Sequence, residues 1–144
     1  MIRMNKLTDY GILVLTHVAR DAGQTHNARD LAALTHVPLP TVSKVLKELH
    51  KAGLLLSHRG IKGGYQLARS PEQVSISEVV QALEGPIALT ECSGDKGGIC
   101  GLESGCLVRS NWRMISSAIR EALDRVTLAA LAKPISPAAL RVAR

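Results

Sequence analysis

The sequence contains no Phe, one Trp (Trp112) and two Tyr (Tyr10 and Tyr65). Any core must therefore be aliphatic, and an apolar fraction of 46% is enough to supply one. No apolar run approaches the roughly 20 residues needed to span a bilayer, so no transmembrane helix is expected. The opening MIRMNKLTDYGI lacks a long apolar stretch followed by a small-residue cleavage site. Without that secretory pattern, a cytoplasmic protein with no membrane partner is expected. The chain also lacks a nucleotide-binding glycine loop and a paired acid–base constellation. Neither an enzyme nor a small-molecule substrate is therefore expected. Cysteine is scarce too: there are three, and an odd count leaves one thiol over from any purely intrachain disulfide framework.

What is present is unevenly placed. Residues 1–70 hold ten Lys/Arg against four Asp/Glu, whereas residues 71–144 hold eight of each. All five His also lie in the first half. A basic N-terminal half beside a neutral C-terminal half points to a polyanionic partner for the first half alone.

Apolar periodicity predicts a helix over residues 8–20, with Ile12, Leu15, Val18 and Ala19 on one face and Thr8 or Asp9 as cap. Asn27 is suited to cap a second short helix, with Asp30 favourable to its dipole. Pro38 and Pro40 then force a turn. A third helix is expected from about Pro40 to Ala52, burying Val42, Val45, Leu46 and Leu49 and ending at Gly53. LLLSHR and YQLAR, joined by GIKGG, predict a β-hairpin. A fourth helix is expected over 75–84, with Ser77 as cap. Residues 107–131 are expected to form one long helix, in which Trp112, Ile115, Ile119, Ala122 and Val126 make a 3-4-3-4 coiled-coil seam that Ala129–Leu131 could extend. The expected organisation is a DNA-binding domain over 1–84, a cysteine-rich loop over 85–106, a dimerisation helix over 107–131 and a frayed tail over 132–144.

Helix, short helix, proline turn, amphipathic helix and glycine-tipped hairpin is the order of a winged helix-turn-helix. The fold class expected is mostly α with a small β-hairpin wing, followed by a long C-terminal helix. In that architecture the second helix of the motif enters the major groove of double-stranded DNA. Thr41 and Ser43 could reach base edges or phosphates, and Lys44, Lys47 and Lys51 could neutralise phosphates. An ordinary solvated helix face would also carry lysines. The hairpin tip has less reason to be bland: His58, Arg59 and Lys62 cluster around Gly60, Gly63 and Gly64. An Arg inserted in a narrow minor groove gains from its negative potential.

The thiols Cys92, Cys100 and Cys106 lie in a glycine-rich stretch with C-x7-C-x5-C spacing. Soft thiolates favour zinc or an iron–sulfur cluster over hard cations. A structural zinc site typically has four ligands and close cysteine pairs, and neither gap is that short. The wider spacing suits a cluster, with zinc or simple redox thiols as alternatives. No convincing fourth ligand lies in the loop, where Glu91, Asp95 and Glu103 are the candidates. The N-terminal half or a second subunit is the remaining source.

Together KLTDYGILVL, NARDLAALTHVPLPTVSKVLKELHKAGLL, RGIKGGYQLAR, ISEVVQALEG and the cysteine loop followed by CLVRSNW resemble the IscR/NsrR family of bacterial iron–sulfur transcription regulators. The likeness is strongest to the branch that regulates SUF iron–sulfur assembly. It implies a homodimer formed through the C-terminal helix, a [2Fe–2S] or [4Fe–4S] cluster on Cys92, Cys100 and Cys106, recognition-helix positions at Thr41, Ser43, Lys44 and Lys47, and a wing arginine at Arg59. Two departures stand out. The first cysteine gap is longer than the commonest spacing, and Arg109 occupies the place of the IscR-type histidine ligand. The resemblance to the NsrR branch instead implies Asp9, supplied by the partner subunit, as fourth ligand. A cluster-carrying metallochaperone is the competing expectation from another functional class.

Overall fold

The computed structural model describes residues 3–94, 101 and 105–134. The order is helix α1 (Lys6–Arg20), α2 (Ala28–Thr35), α3 (Leu39–Lys51), strands β1 (Leu55–His58) and β2 (Gly64–Leu67), then α4 (Ile76–Glu84), α5 (Arg109–Asp124) and α6 (Leu128–Ala132). The expected winged helix-turn-helix is present: mostly helical, with β1 and β2 paired antiparallel in the register Leu55 opposite Leu67 and His58 opposite Gly64. No described helix is long and apolar enough to cross a membrane.

The core is aliphatic. Val14, Leu15 and Val18 of α1, Leu31 of α2, Val42, Val45, Leu46 and Leu49 of α3, and Val79 of α4 are all fully buried. The four α3 residues are the stripe expected from periodicity. Each such side chain contributes about 1.5–3 kcal/mol relative to an exposed one. Asn27 caps α2 as predicted, its side chain accepting from the Asp30 N–H. Helix α3 closes at Gly53 (φ 77°), where the Gly53 N–H donates to the His50 carbonyl and the Leu54 N–H to the Leu49 carbonyl. That pair of bonds is a Schellman ending, whose left-handed residue is easiest for glycine.

Three local expectations are corrected. Helix α1 begins at Lys6, and its cap is Asn5 rather than Thr8 or Asp9: the Asn5 side chain accepts from the Thr8 N–H at 2.8 Å. Long-range contact fixes this choice, because the Asn5 N–H donates to the Glu84 carboxylate at 2.9 Å. The cap of α4 is Ser75, not Ser77. Ser75 and Glu78 form a reciprocal capping box, while Ser77 is buried and accepts from the Gln81 amide. Finally, one helix does not run over 107–131. Helix α5 stops at Asp124, and the chain turns so that Ile76 N–H donates to the Val126 carbonyl (2.9 Å) and Leu128 N–H to the Val74 carbonyl (2.8 Å). Thr127 caps α6, and Leu128 is fully buried in the core, so Ala129–Leu131 do not extend the seam.

Residues 135–144, which include most of the expected frayed tail, lie outside the described residues, as do Asp95, Cys100 and Glu103.

Candidate nucleic-acid interface and cysteine site

On α3, Lys44 and Lys47 are exposed and Thr41 and Ser43 half-buried, on the side away from the Val42–Leu49 stripe. Among the described residues the only ion pairs are Lys51–Glu48 and Arg69–Glu78. Lys44, Lys47, Arg59 and Lys62 are thus cations without an acidic partner in the described chain. His58 ends β1, and Arg59 and Lys62 lie in the turn between the strands, all three exposed. Ile61, between them, is fully exposed.

Residues that carry no DNA-contact signature hold these two surfaces together. The His26 N–H donates to the Tyr65 carbonyl and the Tyr65 N–H to the His26 carbonyl, each at 2.8 Å. The pair joins the residue before the α2 cap to β2, like a short third strand. At Gly64 a Cβ would collide with the His26 carbonyl oxygen, so the neighbouring glycine is what permits the approach. His50, near the end of α3, bonds through Nδ1 to the Leu55 carbonyl at 2.9 Å and meets the Tyr65 ring edge-on at 6.2 Å. The hairpin is therefore tied to α3 through His50 and to the start of α2 through His26. The sequence shows only that His50 is helical, and the distant pairing of His26 with Tyr65 leaves no local signal.

Cys92 lies in a short 3-10 turn, Glu91–Ser93, and is only 7% exposed. Its Sγ sits 3.3 Å from the Thr90 hydroxyl, and its carbonyl accepts from Arg113 Nε at 3.5 Å. Ser116, a buried residue of α5 missed in the sequence, organises the turn: it accepts from the Leu89 N–H at 3.2 Å and donates to Ser93 Oγ at 3.1 Å. Cys106 is half-buried, and both described cysteines are free thiols. Cys100 lies outside the described residues, and no metal-holding group of three or more His, Cys, Asp or Glu assembles among those described. Unpaired soft thiols on a glycine-rich segment fit a thiophilic metal or cluster. Asp9 is exposed in the first turn of α1 and makes no ion pair among the described residues.

Along α5, Trp112 (37% exposed), Ile115 (40%) and Ala122 leave an apolar stripe uncovered by the described chain, with half-buried Ile119 between them.

A family model described as "Rrf2: Iron-dependent Transcriptional regulator" matches residues 4–134. The chain is 32% identical over 131 residues to an HTH-type transcriptional regulator NsrR of Geobacillus kaustophilus, covering 90% of this chain and 89% of that protein. Among solved structures, it is similar to CymR, the global cysteine regulator of B. subtilis (TM-score 0.72, 26% identity, 92% of this chain and 97% of that one). It is also similar to T. potens IscR (TM-score 0.69, 25% identity, 90% and 85%). The matched family and the curated relative are transcriptional regulators, not enzymes.

Proposed function

The chain belongs to the Rrf2 family of transcriptional regulators, and on that footing we propose that it is a homodimeric, cytoplasmic DNA-binding regulator that senses iron–sulfur status, redox stress or nitric oxide through a cluster held by Cys92, Cys100 and Cys106. The observation that carries the DNA-binding half is the brace between α3 and the wing. Two basic surfaces without acidic partners among the described residues are fixed to each other by the His50–Leu55 bond, and the His26–Tyr65 pair ties the wing to the start of α2. Thr41, Ser43, Lys44 and Lys47 face the major groove, and His58, Arg59 and Lys62 face the adjacent minor groove and its phosphates. The α5 stripe supplies the dimer contact, which sets two recognition helices roughly 34–36 Å apart, one turn of DNA.

Free thiols at Cys92 and Cys106, and relatives named NsrR and IscR, support the cluster. Asp9 from the partner subunit is the fourth ligand in this reading, consistent with an exposed carboxylate that makes no ion pair among the described residues. When bound, such a cluster supplies sensitivity to oxidants, nitric oxide and iron supply. The chain's own part is transmission. Ser116 and Arg113 tie the Cys92 turn to α5, and α5 leads to the Val126–Leu128 turn bonded to Val74 and Ile76 at the start of α4. A change in the cysteine segment thus has a packed route to the DNA-binding core. The genes controlled are those of iron–sulfur assembly, following the SUF-branch resemblance. A second reading, sensing by the thiols themselves or a zinc site, is favoured by Cys92 lying against the Thr90 hydroxyl and by the relative titled a cysteine regulator.

Fluorescence anisotropy of anaerobically purified protein on its own promoter duplex tests the DNA interface. Affinity should fall steeply with salt, and Lys44→Ala and Arg59→Ala should each lower the log–log slope by about one. Slopes equal to wild type in both variants would contradict the assignment.

A further inference from the structure

We propose that a cleft between α5 and the Cys92 turn is a binding site for a small tetrahedral oxyanion of the phosphate or sulfate class, held by Arg113 and Arg120. The cleft encloses about 380 Å³ and is lined by Ser93, Gly94, Arg113, Ser116, Ser117 and Arg120. Every described lining side chain that carries polarity is a hydroxyl or a guanidinium, and none is acidic. The spacing explains the assembly: positions 113, 116, 117 and 120 recur at three and four residues, so they share one face of α5. On the other wall, the 3-10 turn brings Ser93 and Gly94 against that face through the Ser116–Ser93 bond.

The two arginines are uncommitted. Neither forms an ion pair among the described residues. Arg113 spends its Nε on the Cys92 carbonyl, which leaves its terminal nitrogens available. Arg120 Nε is buried and has no hydrogen-bond partner. A guanidinium presents a planar fork of N–H groups that matches two oxygens of one anion, and hydroxyls supply further donors for a tetrahedral one. Neither described cysteine lines the cleft, and the turn that carries Cys92 forms one of its walls. Because Arg113 also holds the Cys92 carbonyl, an anion in the cleft grips the same side chain that fixes the cysteine turn. The inference rests on neither DNA binding nor a cluster.

The test is isothermal titration of the full chain, purified anaerobically in chloride buffer, with inorganic phosphate, with sulfate, and with sodium chloride at matched ionic strength. The expected result is saturable one-to-one binding of phosphate or sulfate beyond the chloride control. Arg113→Gln and Arg120→Gln should each weaken it at least tenfold, with circular dichroism in chloride still that of the folded chain. If Arg120→Gln fails to fold, Arg120→Lys keeps the charge, loses the fork, and should still weaken binding. No saturable binding of either anion, or equal binding in the variants, would overturn the proposal.

Discussion

The main chain of His26 is bonded twice to that of Tyr65, each bond 2.8 Å long, and Gly64 lies directly against the His26 carbonyl. The wing is thereby a continuation of the helix-turn-helix rather than an appended hairpin. Gly64→Ala places a methyl group where the carbonyl oxygen stands, and main chain yields less readily than a flexible side chain. A loss of about 1–3 kcal/mol in stability is expected from such overpacking. DNA affinity should fall further than stability alone explains, because the wing loses its bearing. Thermal unfolding and anisotropy on the same variant check this; a variant with wild-type melting and affinity would disprove the brace.

Helix α6 belongs to the core, not to the stripe on α5. Leu128 is fully buried, while Leu131, three residues on, is 37% exposed. Leu128→Ala should cost about 2–5 kcal/mol, the range for emptying a buried leucine site. Leu131→Ala should stay within about 0.5 kcal/mol, as for an exposed position. Denaturant midpoints compare the two. Equal losses would put α6 elsewhere.

The α5 stripe makes a different prediction. Ile115 is 40% exposed in the single chain, so Ile115→Asp should leave each subunit folded. It should separate the dimer, because an unpaired carboxylate in an apolar contact is strongly disfavoured. Light scattering after size exclusion should give the monomer mass with unchanged circular dichroism. A variant that remains dimeric would place the contact on another face.

Stability should also depend on acid through Glu78. Burial by itself raises this carboxyl, but the hydrogen bond from the Ser75 N–H and the Arg69 guanidinium outweigh it, and the net shift is downward from 4.5. A depressed acid stabilises the fold when ionised. Its contribution is therefore complete above 4.5 and is lost as pH falls through that value and the lower folded one. Glu78→Gln should flatten the fall in melting temperature below that pH and cost about 1 kcal/mol near neutrality, as for a lost helix cap. A Glu78→Gln profile parallel to wild type at acid pH would reject the assignment.

The parts legible in the sequence were those set by neighbouring residues. The Val42–Leu49 stripe, the Asn27 cap and Gly53 each follow from periodicity or local hydrogen bonding. What escaped was settled at long range. Glu84 selects Asn5 over Thr8 as cap, and main-chain bonding to Val74 and Ile76 ends α5, although apolar spacing continued through Val126. Ser116 reads as a plain helical serine until the Leu89–Ser93 segment folds over it. Of the cysteine site, thiol identity and spacing were visible; the tie from Arg113 to Cys92 was not.

Anaerobic native mass spectrometry of the full chain, with each of Cys92, Cys100 and Cys106 changed to Ser in turn, tests the central claim most directly. Wild type should appear as a dimer carrying iron and inorganic sulfide in the mass of one [2Fe–2S] or [4Fe–4S] unit per subunit. Each Cys→Ser variant should lose that mass while remaining dimeric. A wild-type dimer that carries zinc, or no metal and no sulfide, under full iron supply would contradict it.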